Sequence, residues 1–120
     1  MKLTGVQLRR ISMPLVAPFR TSFGTQTTRD VLLVGAMTDE AEGWGECVAM
    51  TSPHYSAEYV DAAADVLRRF LVPAVLATRS ASAVAGALAP FKGHQMAKAA
   101  LETAILDAEL RAAGRSFGRE

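Results

Sequence analysis

Side chains able to do chemistry are few and scattered in this 120-residue chain. Glu46, in the stretch GWGEC, stands on a strand next but one to Trp44, where a carboxylate can serve as a general base or pair with an arginine. Cys47, the single cysteine, cannot form an internal disulfide and sits between small neighbours, Gly45 and Ala49, so it reads as a core thiol. His54 and His94 stand alone, one in a connection and one at a helix start, and read as solvated or capping groups. There is no G-x-S-x-G nucleophile turn, no phosphate-cradling glycine loop and no His-x-x-x-His. What remains is two stretches whose composition is wrong for ordinary connections. APFRTSFGTQTTRD carries Phe19 and Phe23, with Arg20 and Ser22 between them, and MTSPHYS carries Met50 and Tyr55. Surface connections are usually polar, so these groups either fold back on the chain's own core or cover something else, by excluding water and receiving an apolar substituent.

The elements around these stretches follow from periodicity. Leu3–Met13 alternates as a strand, but Val6 and Leu8 share one parity and Ile11 and Met13 the other, which predicts a bulge near Arg9 and Arg10. Pro14 and Pro18, which donate no hydrogen bond, are predicted to end the ladder, leaving a long loop from about Leu15 to Arg29. DVLLVGAM is apolar on both faces, as a central strand is, and TDEAEG is a turn. In GWGECVAM, the third strand, Trp44, Glu46, Val48 and Met50 share a face, with Trp44 read as core. Gly45, Cys47 and Ala49 make an opposite face that suits a closely packed helix.

From Ser56 the period changes to 3.6. Ser56 as N-cap and Glu58 in the first turn open a helix with Val60, Ala63, Ala64, Leu67 and Leu71 on one stripe, broken or kinked near Pro73. A short helix is predicted over 81–88 after Ser80, then a long one through GHQMAKAALETAILDAELRAAG, ending with Gly114 at C′. Lys98, Glu102 and Glu109 form its charged side, most of the remaining circumference is predicted to be buried, and Asp107 falls among the buried positions with Arg111 one turn on as its partner. The fold class is therefore α+β: a three-stranded antiparallel meander over about the first 50 residues, then a helical bundle, as one domain over residues 1–120.

Half of the residues are apolar and the formal charge is +1, from 13 basic and 12 acidic residues. That composition suits a globular chain able to bury a core, and no field collects phosphates or anionic lipid, so neither nucleic acid nor a membrane is an expected partner. The N-terminus lacks the apolar run of a signal peptide, and a cytoplasmic location is expected.

PFRTSFGT, GWGEC, SPHYSAEY and FKGHQMAKAALETAILDAEL, in this order and spacing, resemble the N-terminal capping domain of the enolase superfamily. The branch they resemble is the muconate lactonizing enzyme subgroup that contains N-acylamino acid racemase and o-succinylbenzoate synthase. The resemblance spans essentially the whole chain, and its most specific part is the long helix with Ala97, Lys98, Glu102 and Asp107 after KGH. It implies a cap over the mouth of a C-terminal (β/α)8-type barrel, which needs roughly 250 residues and is not in this chain. It implies proton abstraction alpha to the carboxylate of a small-molecule substrate, with Mg²⁺ (or Mn²⁺ or Co²⁺) stabilising the enolate, because a lysine cannot deprotonate so weak a carbon acid unaided. The products would be N-acylamino acids racemised or o-succinylbenzoate formed by dehydration, the latter a step of menaquinone biosynthesis.

The resemblance implies that no catalytic residue and no metal ligand belongs to this chain: Lys2, Lys92 and Lys98 form no K-x-K, and the chain alone is expected to turn over nothing. It carries over only the substrate-binding positions, Phe19, Phe23, Met50 and Tyr55, with Arg20 and Ser22 beside them. A homo-oligomer is expected for the full enzyme, and self-association of the isolated domain through the seam that faces the barrel. Competing readings are a non-catalytic interaction module, and the cap of a muconate cycloisomerase-like or dipeptide epimerase-like enzyme.

Overall fold

The computed structural model describes the backbone of residues 2–21, 24–48, 59–76 and 80–114, and the side chains of all of these except 12–21 and 24–30. Three antiparallel strands, β1 (Leu3–Thr21), β2 (Gly24–Thr38) and β3 (Glu42–Cys47), form one sheet in the order β1-β2-β3. Helices α1 (Val60–Val66), α2 (Val72–Val75), α3 (Ala81–Leu88) and α4 (Gln95–Ala112) follow.

β2 is central because both of its faces can be covered. Leu32, Val34 and Ala36 are 0–1% exposed toward the helices, and Val31 is 4% exposed on the other face. At the TDEAEG turn the Thr38 N–H donates to the Ala41 carbonyl at 3.0 Å, and the Thr38 Oγ1 accepts from the Ala41 N–H at 2.9 Å, closing the connection on its own backbone. The glycines of β3 explain what packs there. A Cβ on Gly43 would fall closer than 3.0 Å to backbone atoms of Ala104 and Ala108, and one on Gly45 equally close to the Ala100 carbonyl oxygen. With Ala97, Ala100, Ala104 and Ala108 at most 2% exposed, α4 lies almost backbone to backbone on β3, as the small-residue face of that strand predicts.

Several local expectations are corrected. No bulge interrupts Arg9 and Arg10, which pair regularly with Leu33 and Leu32; Ile11 is simply 38% exposed. Nor do the prolines end the ladder: Pro14 is paired opposite Thr28, and the strands run on to Thr21 and from Gly24, so the long loop expected over 15–29 is a hairpin. The reason lies in the hydrogen-bond alternation. The Trp44 N–H points off the sheet to Asp107, so at the Gly35 rung the groups of Gly35 turn toward β1. Counting from there, Pro14 falls where β1 directs its N–H position off the sheet edge, and no ladder bond is lost. An irregularity does follow: Leu15 to Pro18 stand opposite Thr27 alone.

Pro73 does not break its helix. The chain widens into a π turn over Leu67–Leu71 just before it, with the Val72 N–H bonding to the Leu67 carbonyl, and helix then continues to Val75. The wider turn lies where the proline ring meets the carbonyl four residues back. Leu67, Leu71 and Val75 keep the buried stripe, each 0% exposed. The helix begins after Tyr59; Ser56, Glu58 and Ala49 lie outside the described residues. On α4, Lys98 is buried rather than part of a charged side, and the exposed positions are Gln95, Ala99, Glu102, Thr103, Leu106 and Arg111. Gly114, with φ 74°, terminates α4 as expected.

Gly45→Ala is expected to destabilise the chain by about 3 kcal/mol, because neither backbone can give way. Gly86→Ala, in open space on α3, is expected to stabilise it by about 0.5–1 kcal/mol. Urea unfolding midpoints of the two variants check both.

Candidate functional site

The last rung of β3 pairs Cys47 with Leu32, which also pairs with Arg10. β2 continues for a further eight residues, Gly24 to Val31, with only β1 beside it. A two-stranded arm of about 25 Å therefore projects past the end of β3. The radius of gyration is 15.2 Å and the longest axis 44 Å, against about 13.6 Å for a compact domain of this length, in keeping with such an arm. Phe19 and Arg20 are paired through their backbones with Gln26 and Thr25 near the tip of this arm; their side chains lie outside the described set. Ser22, Phe23, Met50, Tyr55 and His54 also lie outside the described residues. The structure thus places two of the six candidate binding residues, Phe19 and Arg20, by backbone alone, as neighbours on β1.

The strand whose continuation carries Met50 is fixed from behind. The Trp44 N–H donates to Asp107 Oδ2 at 2.9 Å, and Arg111 Nε reaches the same oxygen at 3.2 Å. Asp107 is 8% exposed, the buried polar position anticipated, and Arg111 is its partner as expected. The Trp44 contact was not legible in the sequence, since a backbone donor has no sequence signature. The available signal was GWG itself, whose missing side chains let a helix come close enough for a short carboxylate to reach the strand edge. Trp44 lies half-buried on the face away from the helices and so outside the main core. Its ring covers Gly35, where a Cβ would meet it at 2.6 Å, and the Arg9 guanidinium lies 5.5 Å from its centroid. Glu46 is exposed on that same face, and Cys47 is 1% exposed among the core residues.

α4 runs antiparallel to β3: Gly43 meets Ala104 and Ala108, whereas Gly45 meets Ala100 and Ala104. The start of α4 therefore lies at the end of the sheet from which the arm projects. His94, in the left-handed conformation with φ 56°, opens that helix; its carbonyl accepts the Lys98 N–H at 2.9 Å, and its side chain makes no capping bond. At the start of α3 the Ala81 N–H donates to the Glu109 carboxylate of α4 at 3.3 Å. Among the described residues no three histidine, cysteine, aspartate or glutamate side chains gather to hold a metal ion, and no helix is long and apolar enough to cross a membrane.

Residues 4–118 match the family model of the mandelate racemase / muconate lactonizing enzyme N-terminal domain. The chain is 62% identical over 122 residues to an N-succinylamino acid racemase of Amycolatopsis, covering 100% of this chain and 33% of that one. It is 42% identical over 105 residues to the o-succinylbenzoate synthase of Geobacillus kaustophilus, covering 85% and 28%. The solved structure of an enolase superfamily member from Listeria innocua superposes with a TM-score of 0.87 at 28% identity, over 94% of this chain and 31% of that one. A magnesium complex of a mandelate racemase/muconate lactonizing enzyme-type protein from Roseovarius nubinhibens superposes at 0.82, also at 28% identity, over 94% and 31%. The chain thus spans about a third of the length of the relatives it matches.

Asp107→Ala leaves the Trp44 N–H without its acceptor and is expected to cost about 2 kcal/mol, whereas Arg111→Met, at an exposed guanidinium, is expected to cost under about 1 kcal/mol. Thermal unfolding of the two variants side by side checks the ranking.

Proposed function

We propose, on the premise that this chain belongs to the mandelate racemase / muconate lactonizing enzyme N-terminal domain family of the enolase superfamily, that it is the substrate-specificity cap of a metal-dependent enzyme. The enzyme removes a proton alpha to a carboxylate, in racemising N-acylamino acids, dehydrating a precursor to o-succinylbenzoate, or both. The observation that carries this reading is the 62% identity to an N-succinylamino acid racemase across the whole of this chain. The synthase relatives support the second reaction on the same scaffold.

In this proposal the cation, Mg²⁺ by analogy with the family, is held by side chains outside this chain, as are the lysine bases, and the 120 residues alone turn over nothing. The cation supplies charge stabilisation for the enolate. The cap supplies shape and exclusion of water. The projecting arm, with Phe19, Arg20, Ser22 and Phe23, and the segment after β3, with Met50 and Tyr55, close over the substrate's acyl or side-chain end. Apolar groups suit that task because they displace water without competing for the metal. β3 gives the second segment a fixed origin, since its edge is bonded to α4.

In a full-length parent enzyme, Phe19→Ala and Met50→Ala are expected to change the ratio of kcat/KM between bulky and short N-acyl substrates by about tenfold while leaving solvent-deuterium exchange at the alpha carbon within about threefold for the short substrate. Equal losses for all substrates would overturn the reading. So would Mg²⁺-dependent racemisation by the purified 120-residue chain, which would move the chemistry into the cap.

A further inference from the structure

We propose that the connection between α3 and α4, residues Phe91 to His94 with the Lys98 side chain behind it, is a carboxylate-binding element at the projecting end of the sheet. Lys98 is only 9% exposed, yet its Nζ has a single partner, the carbonyl oxygen of Phe91. Among the described residues no carboxylate lies within ion-pair distance of it. An ammonium carries three donors, so two donors and the whole charge are left unmatched, an arrangement that burial makes costly.

Toward the start of the helix no acidic residue offsets that charge. The first turn of α4 has no acidic residue, so the positive end of the helix dipole adds to Lys98, three residues in from Gln95, instead of offsetting it. Lys92 is exposed beside Phe91, and His94 is half-buried. Gly93 and His94 both take positive φ, 67° and 56°. The glycine does so freely, but histidine does not, and non-glycine residues held there concentrate at ligand clamps and active sites.

An apolar surface adjoins this cationic spot. The Phe91 ring lies 6.3 Å from that of Phe70, which is 45% exposed. The ligand class that fits is a carboxylate borne on an apolar body. Two sources share that chemistry: a small-molecule carboxylate, and an acidic side chain from outside these 120 residues. The cap reading bears only on which source applies, because the unmatched ammonium belongs to this chain by itself.

The test is NMR of the 120-residue chain, following the amides of Gly93 and His94 and the Lys98 Nζ resonance. Sodium acetate and sodium phenylacetate are titrated against sodium chloride at matched ionic strength. Both carboxylates are expected to give saturable shifts at these groups, with phenylacetate also moving Phe70. Affinity is expected to fall about tenfold in Lys98→Met and to stay unchanged in Lys2→Met. Shifts equal in chloride, or retained in Lys98→Met, would overturn the proposal. If Lys98→Met does not fold, the wild-type Lys98 Nζ decides, and its failure to move with either carboxylate overturns it. The same titration of a full-length parent separates the sources. Persistent saturable binding assigns a small molecule; no added binding, with Lys98 Nζ already at its carboxylate-bound position, assigns an in-chain acidic group. Failure of the cap reading would appear in the Phe19 and Met50 substrate ratios and would leave these shifts untouched.

Discussion

The contact on which the rest of the fold depends is the approach of α4 to β3 at the distance of two backbones. Gly43 and Gly45 leave no side chain in the gap, and Ala100, Ala104 and Ala108 fill it with the smallest groups that still favour helix. Because the gap is so narrow, Asp107 can place its carboxylate on the Trp44 N–H, which would otherwise be an unpaired donor at the edge of the sheet. One carboxylate thereby satisfies the edge of the sheet on that side and marks the phase of the hydrogen-bond alternation that the register carries across all three strands. In that phase a proline at position 14 costs no ladder bond.

Much of the framework was legible in the sequence because it rests on patterns that local chemistry enforces. The short helix after Ser80, the Gly114 terminus and the burial of Asp107 beside Arg111 all correspond to what is seen. The misreadings share a physical cause. Pro14 reads as ending its ladder and Pro73 as breaking or kinking its helix; the first does no harm because its N–H position faces off the sheet edge, and at the second the helix widens into a π turn and runs on, neither of which a local window contains. Lys98 reads as part of a charged side because lysine usually is solvated; it is instead buried, with its ammonium turned back to the Phe91 carbonyl. The candidate binding residues are a different case. Phe19, Phe23, Met50 and Tyr55 stand out by composition and resemblance, and of these the described backbone places only Phe19, on the projecting arm.

Three features meet at one end of the molecule: the projecting arm, the exit of β3 and the start of α4. The opposite end holds the tight β2–β3 turn closed by Thr38. This polarity follows from antiparallel packing alone, since a strand and a helix running in opposite directions must bring the exit of one beside the beginning of the other. Among the described residues it brings Phe91, Lys92, His94 and the Lys98 ammonium to the same end as the arm.

The same contact joins parts of the chain that are made at different times. Trp44 and Asp107 are 63 residues apart. At about 5–20 residues per second on a ribosome, the three strands are complete roughly 3 to 13 seconds before the helix that covers them. During that interval Leu32, Val34 and Ala36 have no cover, and β3 offers an unblocked edge to any neighbouring strand.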